Sequence, residues 1–370
     1  MLKRIRTAIT AYLRSTDHLT WAFCLVLSGF SILLLAGLYH TGFASSRNIV
    51  VQTAAISIGL MVVLVLSHID YEVTAGLWKL YLPLCYGLVL ATFVIGAARG
   101  DDQAWLTIGG FSLQPSELLK VAFIMAFGLH LSKVEGQVNE PRQLALICIH
   151  GAIPVLLIHF QGDDGSALMI ALIFVSMLFS AGLSWRYIIT AAGAAAVLSP
   201  LVWFFVLNED HRSRFLIMFD PMSDPQGYGL QQLNGLLAIG SGQLRGSGLF
   251  SGEHVYVPEI RNDFIFSFVG NALGFLGCLL VIALLTGLCV KLLFNAFHAR
   301  DALGRYICVG AFAMVAFQAI FNIGMCLSVL PVIGITLPFL SSGGTSVVAL
   351  YAAIGLVVSV KMHSSSKMFG

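Results

Sequence analysis

Apolar residues in this chain come in long unbroken runs, without the strict alternation of a half-buried sheet. Ten runs approach or reach the roughly 17 to 27 residues a helix needs to cross a hydrocarbon core. They cover approximately residues 19–39, 49–67, 80–98, 117–132, 144–160, 166–183, 187–207, 264–293, 305–329 and 343–361. The fourth is the weakest, because Lys120 lies one turn inside it, and without it every later loop would change sides. The pattern predicts an all-α polytopic membrane protein of ten transmembrane helices, with a large extracytoplasmic loop, residues 208–263, between helices 7 and 8. No fixed-period repeat and no Gly-, Ser- or Pro-rich linker sets a second unit apart, so residues 1–370 read as a single transmembrane domain. The first run is too long for the apolar region of a signal peptide and lacks a small-residue cleavage site, so it reads as a retained span.

Composition narrows the class. Only 10% of residues are charged and 58% are hydrophobic, with a mean hydropathy of +0.89; soluble chains carry about 25% charged residues. A formal charge of +2 gives no reason to expect nucleic acid, and its distribution says more. With the N-terminus inside, 13 Lys and Arg residues, Lys3, Arg4, Arg6 and Lys367 among them, fall on the inner side and six on the outer. The positive-inside rule then puts both termini in the cytoplasm. All seven cysteines lie within or at the ends of apolar runs with no CxxC spacing, which suits packing better than a zinc site or disulfide framework.

That orientation gathers the polar residues outside. Gln114, Ser116 and Glu117 close the first large outer loop, Gln161, Asp163 and Asp164 form a short QGDDG turn, and Glu259, Arg261 and Asp263 end the long loop. This loop, at about 56 residues, exceeds a plain connection. Within it Leu230, Leu233, Leu236, Leu237 and Ile239 predict an amphipathic helix on the outer interface, ended by glycines from Gly240. Arg212 and Arg214 suit either a phosphate or the headgroups of membrane lipids, towards which arginines snorkel. The 55 residues between Arg305 and Lys361 are uncharged, yet Pro331, Pro338, Gly343 and Gly344 interrupt them. This predicts a turn that re-enters or hugs the membrane beside a cavity, since bare backbone is not tolerated against lipid; Ser341, Ser342, Thr345 and Ser346 add hydroxyls. There is no HExxH, Walker or GxSxG motif. His40, His211 and His254 read as isolated outer residues, and His130, His150 and His159 as histidines satisfied by a neighbour near span ends.

Asp263 is the last charge before the run that begins at Phe264. Desolvation there raises a carboxyl pKa while Arg261 lowers it, so the sequence leaves the net direction open. The position suits proton transfer at a membrane surface, and equally a helix-start cap from Asn262 or Asp263. An acidic, Gln-rich outer cleft with one carboxylate at the bilayer lip fits a lipid-linked substrate whose polar head lies at the interface.

At these residues the chain resembles the SEDS proteins of bacterial shape, elongation, division and sporulation, among them RodA and FtsW. The matching stretches are LQPSELLKVAFI from Leu113, DP at Asp220, GYGLQQ and AIGSGQLRGSG, VPEIRNDFIFSFVGNALGFLG from Val257, and NIGMCLSVLPVIGITLPFLSSGGTS from Asn322. The resemblance implies a ten-helix peptidoglycan glycosyltransferase of the bacterial cytoplasmic membrane. Such an enzyme polymerises lipid II at the outer face beside a class B penicillin-binding protein. It implies Asp263 as general base on the acceptor's sugar hydroxyl, with undecaprenyl pyrophosphate leaving. Arg212, Arg214, Arg245 and a divalent cation such as Mg²⁺ or Mn²⁺ are candidates to meet the pyrophosphate, no other cofactor being implied. Gln114, Ser116, Glu117, Gln161, Asp163, Glu259, Arg261 and Ser341 would line the substrate cavity. Against the family pattern this chain has Ala104 for an Arg, Gly162 for a Pro, Ser247 for a Lys, Asn271 and Ala272 for carboxylates and Ser342 for a Tyr. Two other readings stay open: a catalytically silent paralogue that scaffolds a penicillin-binding protein, and a lipid-linked sugar transporter. For transport the spans offer few polar residues, chiefly Lys120, Gln318 and Asn322.

Overall fold

The computed structural model describes residues 12–99, 102–108, 111–207, 209–227 and 229–364. Lys3, Arg4, Arg6 and Lys367, on which the orientation partly rests, lie outside the described residues, as does the side chain of His211. Helices dominate: α1 His18–His40, α2 Ser46–His68, α3 Tyr71–Gly76, α4 Trp78–Ile95, α5 Pro115–Lys133, α6 Pro141–Phe160, α7 Asp164–Ser180 and α8 Trp185–Leu201. After these come α9 Glu209–Ile217, α10 Gly229–Ser241, α11 Ile265–Phe297, α12 Ala302–Cys326 and α13 Gly344–Ser364. Among the described residues, eight helices are long and apolar enough to cross a membrane: α1, α2, α4, α6, α8, α11, α12 and α13. The chain is a multi-pass membrane protein.

Two further apolar stretches of the sequence, α5 and the 17-residue α7, lie inside the bundle. Helix α5 is buried almost continuously from Pro115 to Gly128, enclosed by α4, α7, α12 and α13. That enclosure is why it tolerates Glu117 and Lys120: ionisable groups are expensive against lipid but not against each other within protein. The broadest helix contact is α13 on α2, where Gly59 meets the ring of Tyr351 and the Tyr351 hydroxyl lies 2.7 Å from Ser28 Oγ. By contrast α8 buries no residue against the bundle and ends in a π-helical turn, Val202–Val206, just after Pro200.

The helical architecture expected of the chain holds, and two features refine it. First, the loop between α4 and α5 carries a small antiparallel sheet of β1 Ala97–Arg99, β2 Asp102–Ile108 and β3 Phe111–Leu113. Its cause is local alternation: Ala104 and Leu106 point inward and are buried while Thr107 is exposed. Second, the run from Phe264 is not one straight span. Helix α11 breaks at Gly274, whose φ of 66° and ψ of −162° leave the helical region. Residues 265–272 above the break are buried throughout, whereas Phe275, Leu276, Leu279 and Leu280 below it are exposed. The upper piece is thus a half-helix sunk in the protein, and lipid-facing positions begin below it.

The break is filled by residues 243–248 of the loop before α11. Ser247 N donates to Asn271 O at 3.0 Å and Gly248 N to Ala272 O at 2.9 Å, while Phe275 N and Leu276 N donate back to Gln243 O and Leu244 O at 2.8 and 3.2 Å. Four main-chain groups freed by the kink are thereby paired, as an apolar setting requires. Helix α10 leads into this junction. Its buried face is Gly229, Gln232, Gly235 and Ala238, while Leu236 and Leu237 face outward, so small residues rather than leucines meet α11.

Candidate active site

The first polar cluster forms where β3, α5 and α7 begin. Asp163 caps α7, accepting from Ser166 N at 2.9 Å through Oδ1. Its Oδ2 accepts from Gln114 Nε2 at 2.8 Å and from Ser116 Oγ at 3.0 Å. Thr345, at the start of α13, accepts from Gln114 N at 3.2 Å and so ties this corner to the last span. One turn deeper, Lys120 Nζ lies 2.8 Å from Glu117 Oε1, with both side chains buried, and Glu117 Oε2 has no partner among the described residues. Gln161 donates to Thr92 Oγ1, and its buried Oε1 is likewise unpaired.

The second cluster surrounds Asp263. The N-cap of α11 is Phe264, with no side-chain capping bond, so neither Asn262 nor Asp263 serves as the cap that the sequence allowed. Asn262 instead donates to Glu259 Oε2 at 2.6 Å. Among the described residues no donor reaches the Asp263 carboxylate; its surroundings hold its backbone. Burial pushes the Asp263 carboxyl up from its ordinary 3.8 to about 7, and the Glu259 carboxylate adds to the rise. The competition between desolvation and Arg261 therefore resolves on the side of desolvation. The side chain is half-buried and so stays reachable from solvent. Glu259 itself is exposed and held at a φ of 56°.

The uncharged re-entrant segment after α12 lies between the clusters. A Cβ on Gly165 would come 2.4 Å from Ile333 O, and one on Gly334 would lie 3.9 Å from Asp263 Oδ2. The QGDDG turn and Asp263 thus flank residues 333–334 on two sides. The segment satisfies its backbone through protein, as expected for irregular chain at membrane depth: Ser31 Oγ donates to Leu340 O at 2.8 Å and Gln52 Nε2 to Ser341 O at 3.1 Å.

Other candidate residues lie apart from Asp263. Arg212 Nε and Nη2 donate to Trp203 O and Phe204 O at 2.9 and 3.0 Å, and Nη1 lies 3.6 Å from Glu209. Its guanidinium thus caps the π-helical end of α8. Arg214 is half-buried on α9, and Arg245 is exposed on the turn that fills the α11 break. His254 is not the isolated surface residue expected. Its Nδ1 lies 2.5 Å from Asn271 Oδ1 and 3.3 Å from Ser247 Oγ, and Asn271 Nδ2 donates to Ser241 Oγ at 2.6 Å. His130 and His150 satisfy each other, Nδ1 to Nδ1, at 3.0 Å. Gln52 carries local architecture that the sequence reading passed over, bonding Ser31, Ser341 and Gly343. A lone Gln in the second apolar run was the available signal. Among the described residues no three His, Cys, Asp or Glu side chains converge as a metal site.

Comparison with known proteins agrees with this arrangement. The chain is 35% identical over 314 residues to the peptidoglycan glycosyltransferase MrdB of Escherichia coli K12, covering 83% of this chain and 84% of that protein. It is 32% identical to stage V sporulation protein E of Bacillus subtilis, over 83% of this chain and 85% of the relative. Among solved structures, a chain described under structural coordination of polymerization and crosslinking by a peptidoglycan synthase complex superposes with a TM-score of 0.78 at 26% identity. It covers 95% of this chain and 98% of its own. The FtsW/RodA/SpoVE cell cycle protein model matches residues 12–366, and the chain belongs to that family, the SEDS proteins.

Proposed function

We propose that this protein is a peptidoglycan glycosyltransferase that polymerises lipid II at the outer face of the cytoplasmic membrane, with Asp263 as its general base. The observation that carries the reading is the state of that carboxyl: recessed, without a cation partner among the described residues, and pushed to about 7. A base titrating near the working pH has both the right protonation state and useful proton affinity. Asp263 would take the proton of the acceptor sugar's 4-hydroxyl as its oxygen attacks the anomeric carbon of the growing glycan. The bond to the undecaprenyl pyrophosphate then breaks and the pyrophosphate leaves with its electron pair. The Gln114–Ser116–Asp163 corner offers hydrogen-bonding groups for the sugars, and the orphaned Glu117 and Gln161 oxygens are acceptors without a donor of their own.

In this reading α5 and α7 join the eight long helices to make ten crossings, the loop of residues 208–263 is extracytoplasmic, and both termini are cytoplasmic. Divalent Mg²⁺ or Mn²⁺ would arrive on the pyrophosphate as part of the substrate, since magnesium is commonly held by phosphates with only one or two carboxylates. Arg214 and Arg245 stay candidates for the leaving group, whereas Arg212 would first have to release the α8 carbonyls. The partner would be a class B penicillin-binding protein, in keeping with the likeness to a synthase complex that coordinates polymerization with crosslinking. The test is polymerisation of purified lipid II by the protein with its partner. Asp263→Ala should abolish product, and equal polymer from wild type and variant would end the proposal.

A further inference from the structure

We propose that Asn322 is a positioning residue for Asp263, fixing, together with the serines of the re-entrant turn, the backbone from which the carboxyl projects. This rests on Asp263 being the base.

Three consecutive carbonyls leading into α11 are each held. Ser342 N donates to Arg261 O at 2.9 Å, Ser341 Oγ to Asn262 O at 2.5 Å, and Asn322 Nδ2 to Asp263 O at 2.7 Å. The donors come from the re-entrant turn and from α12, about 60 to 80 residues further along the chain. The Asn322 side chain is fully buried, and the second hydrogen of its amide goes to Ile335 O, also at 2.7 Å. One nitrogen therefore joins the base's own peptide to the turn that passes beside its carboxylate. Cys326 Sγ lies 3.6 Å from the same Asp263 carbonyl, but a thiol is a weak donor and cannot take over the task.

The turn is braced from behind as well. Gln52 Oε1 accepts from Gly343 N at 3.2 Å, and Gln52 Nε2 donates to both Ser341 O and Ser31 Oγ. Ser341 Oγ also accepts from Leu337 N at 2.8 Å. Glu259 and Phe339, at φ values of 56° and 63°, flank the junction in the left-handed region. Such conformations persist where the surroundings over-determine them.

The arrangement has a chemical logic. Donors on a carboxylate stabilise its charged form and weaken it as a base. A base kept free of them must be located through its main chain, and small displacements of a reacting group are costly in rate. Of the groups around Asp263, Glu259 and Arg261 on its own segment are charged, and Cys326 on α12 can titrate. The re-entrant turn and α10 carry no charge at all.

The experiment uses the full chain with its penicillin-binding partner and compares Asn322→Ala, Ser341→Ala and Asp263→Asn, each normalised to the folded complex. Lipid II polymerisation is followed from pH 5.5 to 8.5. Asn322→Ala should lower kcat at least tenfold with KM within twofold, and should move the acid limb of the profile to lower pH as the loosened carboxyl becomes better hydrated. Ser341→Ala should act in the same direction with smaller effect, and it decides the matter by the same two readouts if Asn322→Ala does not fold. Folded variants with wild-type kcat and an unmoved acid limb, beside an inactive Asp263→Asn, would overturn the positioning role and leave the base in place. An active Asp263→Asn would overturn the base itself, and this proposal with it.

Discussion

Replacing Asp263 by Asn should separate the stability of this protein from its chemistry. A carboxyl displaced from 3.8 to about 7 holds its proton more tightly in the folded chain than in the unfolded one. Below pH about 4 it is protonated in both states and has no effect. Between about 4 and 7 the folded state retains a proton that the unfolded state has lost, so stability falls as pH rises; above about 7 the loss is complete. At roughly 1.4 kcal/mol per tenfold in proton affinity, the displacement sets a ceiling of about 4 kcal/mol. The side chain is only half-buried, so solvent screening reduces the expected cost to about 1–3 kcal/mol. Asparagine mimics the neutral acid and cannot ionise. Asp263→Asn should therefore come within a few tenths of a kcal/mol of wild type at pH 3.5 and exceed it by about 1–3 kcal/mol at pH 8, read as thermal unfolding in one detergent across the series. Polymerisation by wild type should climb with pH through about 7 and be absent in the variant throughout. A stability difference that is the same at pH 3.5 and pH 8 would refute the claim that this carboxylate is held desolvated.

Two further expectations concern buried charge. Lys120→Met strands Glu117 beside an oxygen that already lacks a partner and should cost about 3–5 kcal/mol in unfolding, whereas Glu117→Gln with Lys120→Met should cost less than the single change. Asn271→Glu alone buries a carboxylate at the α11 break and should cost about 1–3 kcal/mol. Ser247→Lys, on an exposed residue whose main chain bonds Asn271, should restore at least half of that, and a double-mutant cycle without coupling would count against their contact.

How much of this was legible beforehand differs from element to element. Hydropathy located the eight long apolar helices to within a few residues, because crossing a bilayer demands an uninterrupted run that no soluble context imposes. It could not show that α5 and α7 are enclosed while α8 stands clear, since enclosure depends on which helices become neighbours. The break at Gly274 was hidden for a similar reason: nothing in an apolar run announces that residues 243–248 will fill a gap in it. Asp263 was found from its position at the end of the charged segment, but the direction of its pKa depended on Glu259 curling back in a left-handed conformation while Arg261 does not offset the burial. Arg212 looked free for phosphate because the carbonyls it caps exist only once α8 ends in a π-turn.

The positions at which this chain departs from the family pattern bear on whether it is an enzyme, and the structure gives most of them a place away from Asp263. Ala104 is buried in the small sheet of the first outer loop. Gly162 has a φ of 90°, which proline cannot adopt, so the QGDDG turn takes a course of its own and still delivers Asp163 to Gln114 and Ser116. Ser342 anchors Arg261 O through its main-chain nitrogen, a bond indifferent to the side chain it carries. Ala272 contributes its carbonyl to the break in the same manner. Ser247 and Asn271, 24 residues apart in sequence, meet in one hydrogen-bonded cluster with His254. Removing both members of a charged pair costs far less than removing one, so two losses that face each other are mutually compensating. None of these departures takes away a contact to Asp263, whose three carbonyl anchors and desolvated carboxyl are all present. A chain drifting into a purely structural role has no reason to keep an unpaired acid that destabilises it above pH 4, and its retention here favours an enzyme over a scaffold.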